Sequence, residues 1–404
     1  MFIEKLLQLM AEKKASDIFI SAGSPISIKI MGTIMPVNPQ NMDAETTKKI
    51  IFEMLTPGQQ ETLTKDQELN FSKPMMGLGN FRVNCFWQKG TVGCVIRYIT
   101  AEIPKMADLN LPQVLSSLIM EKRGLILVVG ATGSGKSTTL ASMIDYRNEA
   151  APGHILTMED PVEYVFTPKK CLINQREVGN DTHTFHDALR NAMRQAPDII
   201  LIGEIRDLET MRMALTYALS GHLCLATLHA NNAYQAMNRV ISFFPLEVRP
   251  MLLQDLSVCL KAVISQRLVK TTDGKRTPAM EVLLNTRNIQ ELIEKGEINE
   301  IKEALEKSMA PGSQTFEQAL FKLFMEGKIT QDEAMANADS ATNMLWLINQ
   351  ATAGDLSMSG SGAKPAAVPP AGEKKEAGAE EKKEGVLSAG AGASFNNFKI
   401  DMNA

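Results

Sequence analysis

Hydrophobic and polar positions fall into distinct regimes along the chain. Residues 2–13 repeat apolar side chains at helical spacing, with Phe2, Leu6, Leu9 and Met10 on one face. Short apolar runs at 17–21 and 26–30, broken by Ala22-Gly23-Ser24-Pro25, predict strands joined by a turn. A helix over 43–55 that stops before Pro57-Gly58, then strands over 68–72, 80–88 and 91–99, complete a small α/β domain assigned to 1–103. Alternation in 80–88 puts Phe81, Val83 and Cys85 on one face and Arg82 on the other. Arg97 interrupts an otherwise apolar strand; such arginines are ordinarily solvated side chains.

Residues 104–122 show no clear period and read as a linker. From 123 apolar strands alternate with helices, the sign of a parallel sheet covered on both faces. Strands are predicted at 124–129, 154–158, 198–202 and 223–227, and helices at 138–146 and 208–219; this core is assigned to 123–284. Past Pro245 the pattern is mainly helical, at 246–264, 288–295, 298–307, 315–326 and 330–338, with a hairpin of 266–269 and 278–283 around Asp273-Gly274. The stretches starting at Thr315 and Thr330 have capping-box spacing, with Gln318 and Glu333 at the third helical position. A helical subdomain is assigned to 285–352. From 353 to 404, Gly, Ser, Ala and Pro mixed with blocks such as Glu373-Lys374-Lys375-Glu376 predict a disordered tail, because such composition cannot bury a core.

Composition narrows the function classes. The 404 residues carry 42 basic and 46 acidic side chains, a net charge of −4, which disfavours a nucleic-acid partner. Five cysteines stand apart at Cys85, Cys94, Cys171, Cys224 and Cys259 with no CxxC pair. Neither a disulfide framework nor a four-thiolate zinc site is indicated, and a reducing cytoplasm fits best. No stretch approaches the roughly 20 apolar residues that span a bilayer, so membrane association is expected to be peripheral or through a partner.

Candidate chemistry centres on Gly130-Ala131-Thr132-Gly133-Ser134-Gly135-Lys136-Ser137, which matches GxxxxGK[S/T] at every fixed position and lies between a strand and a helix. The backbone N–H groups of such a loop and the helix dipole favour phosphate. Lys136 would reach the β- and γ-phosphates, Ser137 would give its hydroxyl to Mg²⁺, and Thr138 opens the helix beside them. The strand at 154–158 empties into Glu159-Asp160-Pro161-Val162-Glu163. An acidic surface loop is the ordinary reading of such a cluster, but ligands in open α/β sheets bind at the C-terminal ends of the strands. The strand at 198–202 ends in Gly203-Glu204, an acidic group placed to hold Mg²⁺ or to orient water. With Gly203 where many such motifs carry Asp, a water-mediated contact of Glu204 with the metal is expected. His222 and His229 frame the strand at 223–227. His183 and His186 lack a third ligand nearby and mark a helix start, with Thr184 or its neighbours capping.

In this order the motifs resemble those of the secretion-superfamily ATPases, and most closely the type IV pilus retraction ATPase family of PilT and PilU. Residues 155–163 resemble its Asp box, with Glu163 as a catalytic candidate beside Glu159. Residues 199–204 resemble its atypical Walker B, and Gly221-His222 through Thr227-Leu228-His229 its His box. The resemblance runs from about Ala15 to Trp346. It implies an α/β chain with a PAS-like N-terminal domain, a RecA-like P-loop domain and a helical C-terminal subdomain. It further implies ATP and Mg²⁺, a homo-hexamer, Arg82 and Arg97 near ATP at the subunit boundary, and His222 and His229 as γ-phosphate sensors. An inner-membrane pilus platform protein is the implied partner, with the chain cytoplasmic and peripheral to that membrane. Asn288-Ile289-Gln290-Glu291-Leu292 stands where PilT-type members carry Ala-Ile-Arg-Asn-Leu, and Phe19 where they carry His. Those departures point to an accessory, PilU-like member working beside a PilT-type paralogue. Pilus-extension and type II secretion ATPases commonly carry a tetracysteine module and a longer N-terminal region, neither of which is present. A regulatory nucleotide-binding subunit with little hydrolysis is the alternative from another class.

Overall fold

Why a short sequence becomes an edge, a core or a cap is visible from the first helix onward. The computed structural model describes residues 2–358 apart from Met31, Met76, Gly77 and Ala101. Helix α1 (Phe2–Glu12) buries Ile3, Leu6, Leu7, Leu9 and Met10. Strands β1 (Asp17–Ile20), β2 (Ser27–Ile30) and β3 (Thr33–Pro36) follow. Helix α2 (Ala44–Met54) is capped by Asp43, whose carboxylate accepts the Thr46 N–H. Pro57-Gly58, expected only to end a helix, instead opens another, α3 (Pro57–Asp66). Proline suits the first helical position because its missing N–H has no partner there, and Thr56 with Gln59 closes a capping box. Strands β4 (Glu68–Met75), β5 (Gly79–Gln88) and β6 (Thr91–Thr100) complete an antiparallel sheet ordered β3-β2-β1-β6-β5-β4. As alternation predicts, Phe81, Val83 and Cys85 are fully buried while Arg82 faces out.

The connecting stretch holds a short helix, α4 (Val114–Leu118), whose Leu115 and Leu118 join the core beyond it. Next come β7 (Gly124–Val129), α5 (Lys136–Ala150), β8 (Gly153–Glu159), β9 (Cys171–Glu177), α6 (Phe185–Ala192), β10 (Ile199–Ile202), α7 (Leu208–Leu219), β11 (Leu223–Leu228), α8 (Ala233–Ser242) and α9 (Arg249–Cys259). The expected helix over 246–264 is corrected here. The chain leaves α9 at Cys259 and runs as β12 (Leu260–Lys270), then returns as β13 (Arg276–Leu284). The run Ala262-Val263-Ile264 is wholly buried, and branched side chains buried on both faces suit a central strand. The resulting sheet is ordered β13-β12-β7-β11-β10-β8-β9, parallel except for β13.

Strand periodicity divides its side chains between two cores. Leu125, Leu127 and Val129 of β7 pack with α6, α7, α8 and α9 on one face, and Ile126 and Val128 pack with α4 and α5 on the other. At the C-terminal side lie α10 (Arg287–Lys295), α11 (Ile301–Glu306), α12 (Phe316–Met325), α13 (Gln331–Asn337) and α14 (Ala341–Met358). The Thr315–Gln318 capping box forms in full. At Thr330 only its hydroxyl end does; the Glu333 carboxylate accepts the Lys270 N–H at 2.8 Å instead, because the strand lies within reach. Helix α14 continues past 353, where a tail was expected to start, and residues 359–404 of that tail lie outside the described residues.

Candidate nucleotide-binding site

Because β7, β8, β10 and β11 are parallel neighbours, their C-terminal ends meet at one edge of the sheet. There Gly130 leaves β7, and the loop returns to α5 at Gly135, whose φ of +88° is the left-handed conformation glycine favours. A Cβ on Gly135 would stand 2.8 Å from Gln266 Nε2, and one on Gly130 would stand 2.5 Å from the Gln266 carbonyl. The first N–H groups of the 15-residue α5 thus open toward the loop. Lys136 Nζ donates to the carbonyls of Gly130 and Ala131 at 2.9 and 3.0 Å. Burial lowers the Lys136 pKa, while Glu204 and Glu163 oppose that shift. Thr138 Oγ1 lies 2.8 Å from the Tyr164 hydroxyl.

A cavity of about 520 Å³ opens above this loop. From the loop it is lined by Thr132, Gly133, Gly135, Lys136, Ser137 and Thr138, and from the strand ends by Glu159, Glu163, Glu204 and His229. Gly130, Ala131 and Ser134 belong to the loop but do not line the cavity. Glu204 is held on both oxygens: Arg206 Nε donates to one at 2.6 Å, and His229 Nε2 lies 3.0 Å from the other. Gly203 sits in a tight place, since a Cβ there would meet the Met158 carbonyl at 3.1 Å and Glu159 Cα at 3.2 Å and push them by a few tenths of an ångström. Burial pushes the Glu159 carboxyl up to about 7, although hydrogen bonds from Thr157 and Gln175 favour its charged form.

The arginines separate. Arg82 and Arg97 are cross-strand partners in β5 and β6, but only Arg82 lines the cavity, and it does so in its own chain. Whether a neighbouring subunit's nucleotide also meets Arg82 belongs to the assembled ring. Arg97 is kept from the cavity by Asp17, which accepts its Nε–H at 2.9 Å. His222 is also displaced. Its carbonyl accepts the Gly124 N–H at the start of β7, so it stands at the opposite end of the strand from His229, and its ring packs edge-on against Tyr217. An extended strand of this length separates its ends by roughly 20 Å. His183 precedes the Thr184 cap of α6, and His186, in its first turn, pairs with Glu209 at 2.9 Å.

Sequence reasoning missed Arg206, Thr227 and Gln266. Arg206 sits inside Gly203-Glu204-Ile205-Arg206-Asp207, where its charge was a legible signal; Gln266 offered none. The Thr227 hydroxyl donates to the Gly203 carbonyl at 2.5 Å, tying the ends of β10 and β11.

The chain matches the family model described as type II/IV secretion system protein over residues 1–277. The type IV pilus ATPase PilU of Pseudomonas aeruginosa is 48% identical over 356 residues, 88% of this chain and 93% of that protein. The type IV pilus retraction ATPase PilT of the same organism is 40% identical over 85% of this chain and 100% of its own length. The crystal structure of the pilus retraction motor PilT with bound ADP matches with a TM-score of 0.80 at 40% identity, over 84% of this chain and 98% of that one. With relatives matched nearly end to end and a phosphate loop seated at the strand ends, the chain belongs to the type II/IV secretion system protein family, as a P-loop ATPase of the kind named PilU and PilT.

Proposed function

We propose that this protein hydrolyses ATP to drive type IV pilus retraction, with the seven-stranded sheet as a RecA-like motor domain and the six-stranded sheet as a PAS-like domain. The observation that carries the reading is the convergence of Lys136, Ser137, Glu159, Glu163, Glu204, His229 and Arg82 on one cavity. In it Lys136 and the loop N–H groups hold the phosphates, and Glu163 takes the proton of, or orients, the attacking water. Glu204, steadied by Arg206 and His229, directs that water or a water on the metal. His229 couples the state of the γ-phosphate to β11, and Arg82 adds positive charge opposite the loop.

Among the described residues no three carboxylate, imidazole or thiol groups gather into a metal site. Ser137 and Glu204 on one cavity are the sparse oxygen donors that suit Mg²⁺, which retains waters and leans on phosphate oxygens. When bound there it would neutralise charge on those phosphates.

The working form is a homo-hexamer at the cytoplasmic face of the inner membrane, engaging a platform protein. Among the described residues no helix is long and apolar enough to cross a membrane. Its role is accessory, beside a PilT-type ring. What supports this is α10, where Ile289 is buried as an anchor while Gln290-Glu291 presents an amide and an anion, the latter paired with Arg287 at 2.8 Å.

The core reading is tested by measuring ATP binding and turnover in Lys136→Ala and Glu204→Gln. Lys136→Ala is expected to lose about a hundredfold or more in turnover, near 3 kcal/mol of transition-state stabilisation. Glu204→Gln is expected to bind ATP and not hydrolyse it. Near-normal turnover in both variants would sink the reading.

A further inference from the structure

The carboxylate loop between β8 and β9 carries Glu163 on a segment without regular secondary structure, so something outside the loop must hold it. Both backbone groups of the preceding residue, Val162, are engaged by buried side chains. The Val162 N–H donates to Glu177 Oε2 at 2.9 Å, and its carbonyl accepts from Asn80 Nδ2 at 3.3 Å. Val162, Asn80 and Glu177 are 8%, 3% and 5% exposed, so water does not compete for these groups.

The two holders come from different sheets. Glu177 ends β9 in the parallel sheet, whereas Asn80 lies on β5 of the antiparallel sheet. The same Glu177 oxygen also accepts the Ser72 hydroxyl, on β4, at 2.6 Å. Glu177 is itself fixed: its other oxygen accepts from Asn180 Nδ2, and its N–H donates to Asp181 at 2.8 Å. Asn80 is fixed by accepting the Phe81 N–H at 3.0 Å. Asn80 and Arg82 are two apart on β5 and share a face, so the strand that sends Arg82 into the cavity also grips the loop bearing Glu163.

We infer that Asn80 and Glu177 are positioning residues for hydrolysis, which make the placement of Glu163 depend on the seating of the N-terminal sheet against the motor sheet. The inference rests on the reading of Glu163 as the group that handles the attacking water. A sheet that shifts away withdraws the Asn80 and Ser72 contacts and Arg82 together. Nucleotide is then still held by the phosphate loop, but Glu163 is no longer aligned. Misplacement by about 1 Å costs on the order of a hundredfold in such steps.

The test uses the full chain and compares Asn80→Ala, Ser72→Ala, Glu177→Gln and Glu163→Gln. Binding is read with a fluorescent ATP analogue, turnover under single-turnover conditions, and folding by thermal melting. For Asn80→Ala and Glu177→Gln at unchanged melting temperature, turnover is expected to fall about tenfold to a hundredfold while nucleotide Kd moves less than about threefold. Ser72→Ala, which leaves Val162 gripped from both sides, is expected to lose less. Should Asn80→Ala melt early, the isosteric Asn80→Asp replaces the donor with an anion facing the Val162 carbonyl, and the same split is required of it. Turnover within twofold of wild type in both Asn80→Ala and Glu177→Gln, with Glu163→Gln inactive, overturns the positioning role. A parallel loss of binding and turnover overturns it too, because that would be a general structural defect. Normal turnover in Glu163→Gln would instead overturn the role of Glu163 itself.

Discussion

Gln266 follows Ser134 by 132 residues in sequence, yet its side chain braces the phosphate loop from both sides. Its Nε2 donates to the Ser134 carbonyl at 2.8 Å and its Oε1 accepts the Thr139 hydroxyl at 2.7 Å, with the residue 3% exposed. Replacement by leucine keeps the volume and leaves two buried polar groups without partners, each a cost of about 1–3 kcal/mol. Gln266→Leu is therefore expected to weaken nucleotide binding about tenfold or more, seen as a raised KM for ATP in steady-state assays. An unchanged KM would mean that the loop holds its shape without the brace. At this scale Lys136, Ser137 and Glu204 were legible because their partners are local in sequence. His222 lies at the other end of β11 from His229, which spacing could not show because a motif records distance along a strand, not which end of the sheet each residue reaches.

Among the elements, the first half of β12 joined the parallel sheet where sequence periodicity suggested a helix, the expected hairpin with β13 continues it, and β13 carries a buried carboxyl group. Glu281 on β13 accepts the Ala233 N–H at the start of α8 at 2.7 Å and the Ser265 hydroxyl of β12 at 3.0 Å. Burial raises its carboxyl to about 7. A raised acid pKa means that the folded chain binds the proton more tightly than the unfolded chain, so this group's contribution to stability falls as pH rises from 4.5 to about 7 and then levels off. For a group only 7% exposed the fall is on the order of 3 kcal/mol. Glutamine keeps an accepting oxygen without the charge, so Glu281→Gln is expected to flatten that part of the profile. Chemical denaturation of both proteins at pH 5 and pH 8 measures it; identical pH dependence in the two would remove Glu281 as the cause. Glu159, raised into the same range, remains in both proteins and cancels in the comparison.

The whole molecule carries the question of independence. α10 keeps Ile289 and Ile293 buried, so the helix packs, but Gln290-Glu291 carries an amide and an anion where the resemblance to PilT-type members leads one to expect Arg-Asn, so the cation is replaced by an anion on that segment. Cells that lack the PilT-type paralogue and express this protein at native level are expected to show little or no pilus retraction, as judged by imaging unmodified pili. Sustained retraction at normal speed in that strain would make this protein an independent motor.

Sequence alone determined whatever is written in short-range pattern. The phosphate loop, the strands of continuous apolar residues before Gly130 and Gly203, the caps at Thr184 and Thr315, and the alternation in β5 all follow from local sterics and hydrogen-bonding needs. Tertiary structure decided everything that depends on a partner distant in the chain. The apolar run after Cys259 could be buried as helix or strand, and became β12 because β7 offered an unpaired edge and buried surface on both faces. Arg82 and Arg97 look equivalent in sequence. One reaches the cavity and the other is held by Asp17 because β6 pairs with β1 on one side and β5 on the other, a register that no local pattern encodes.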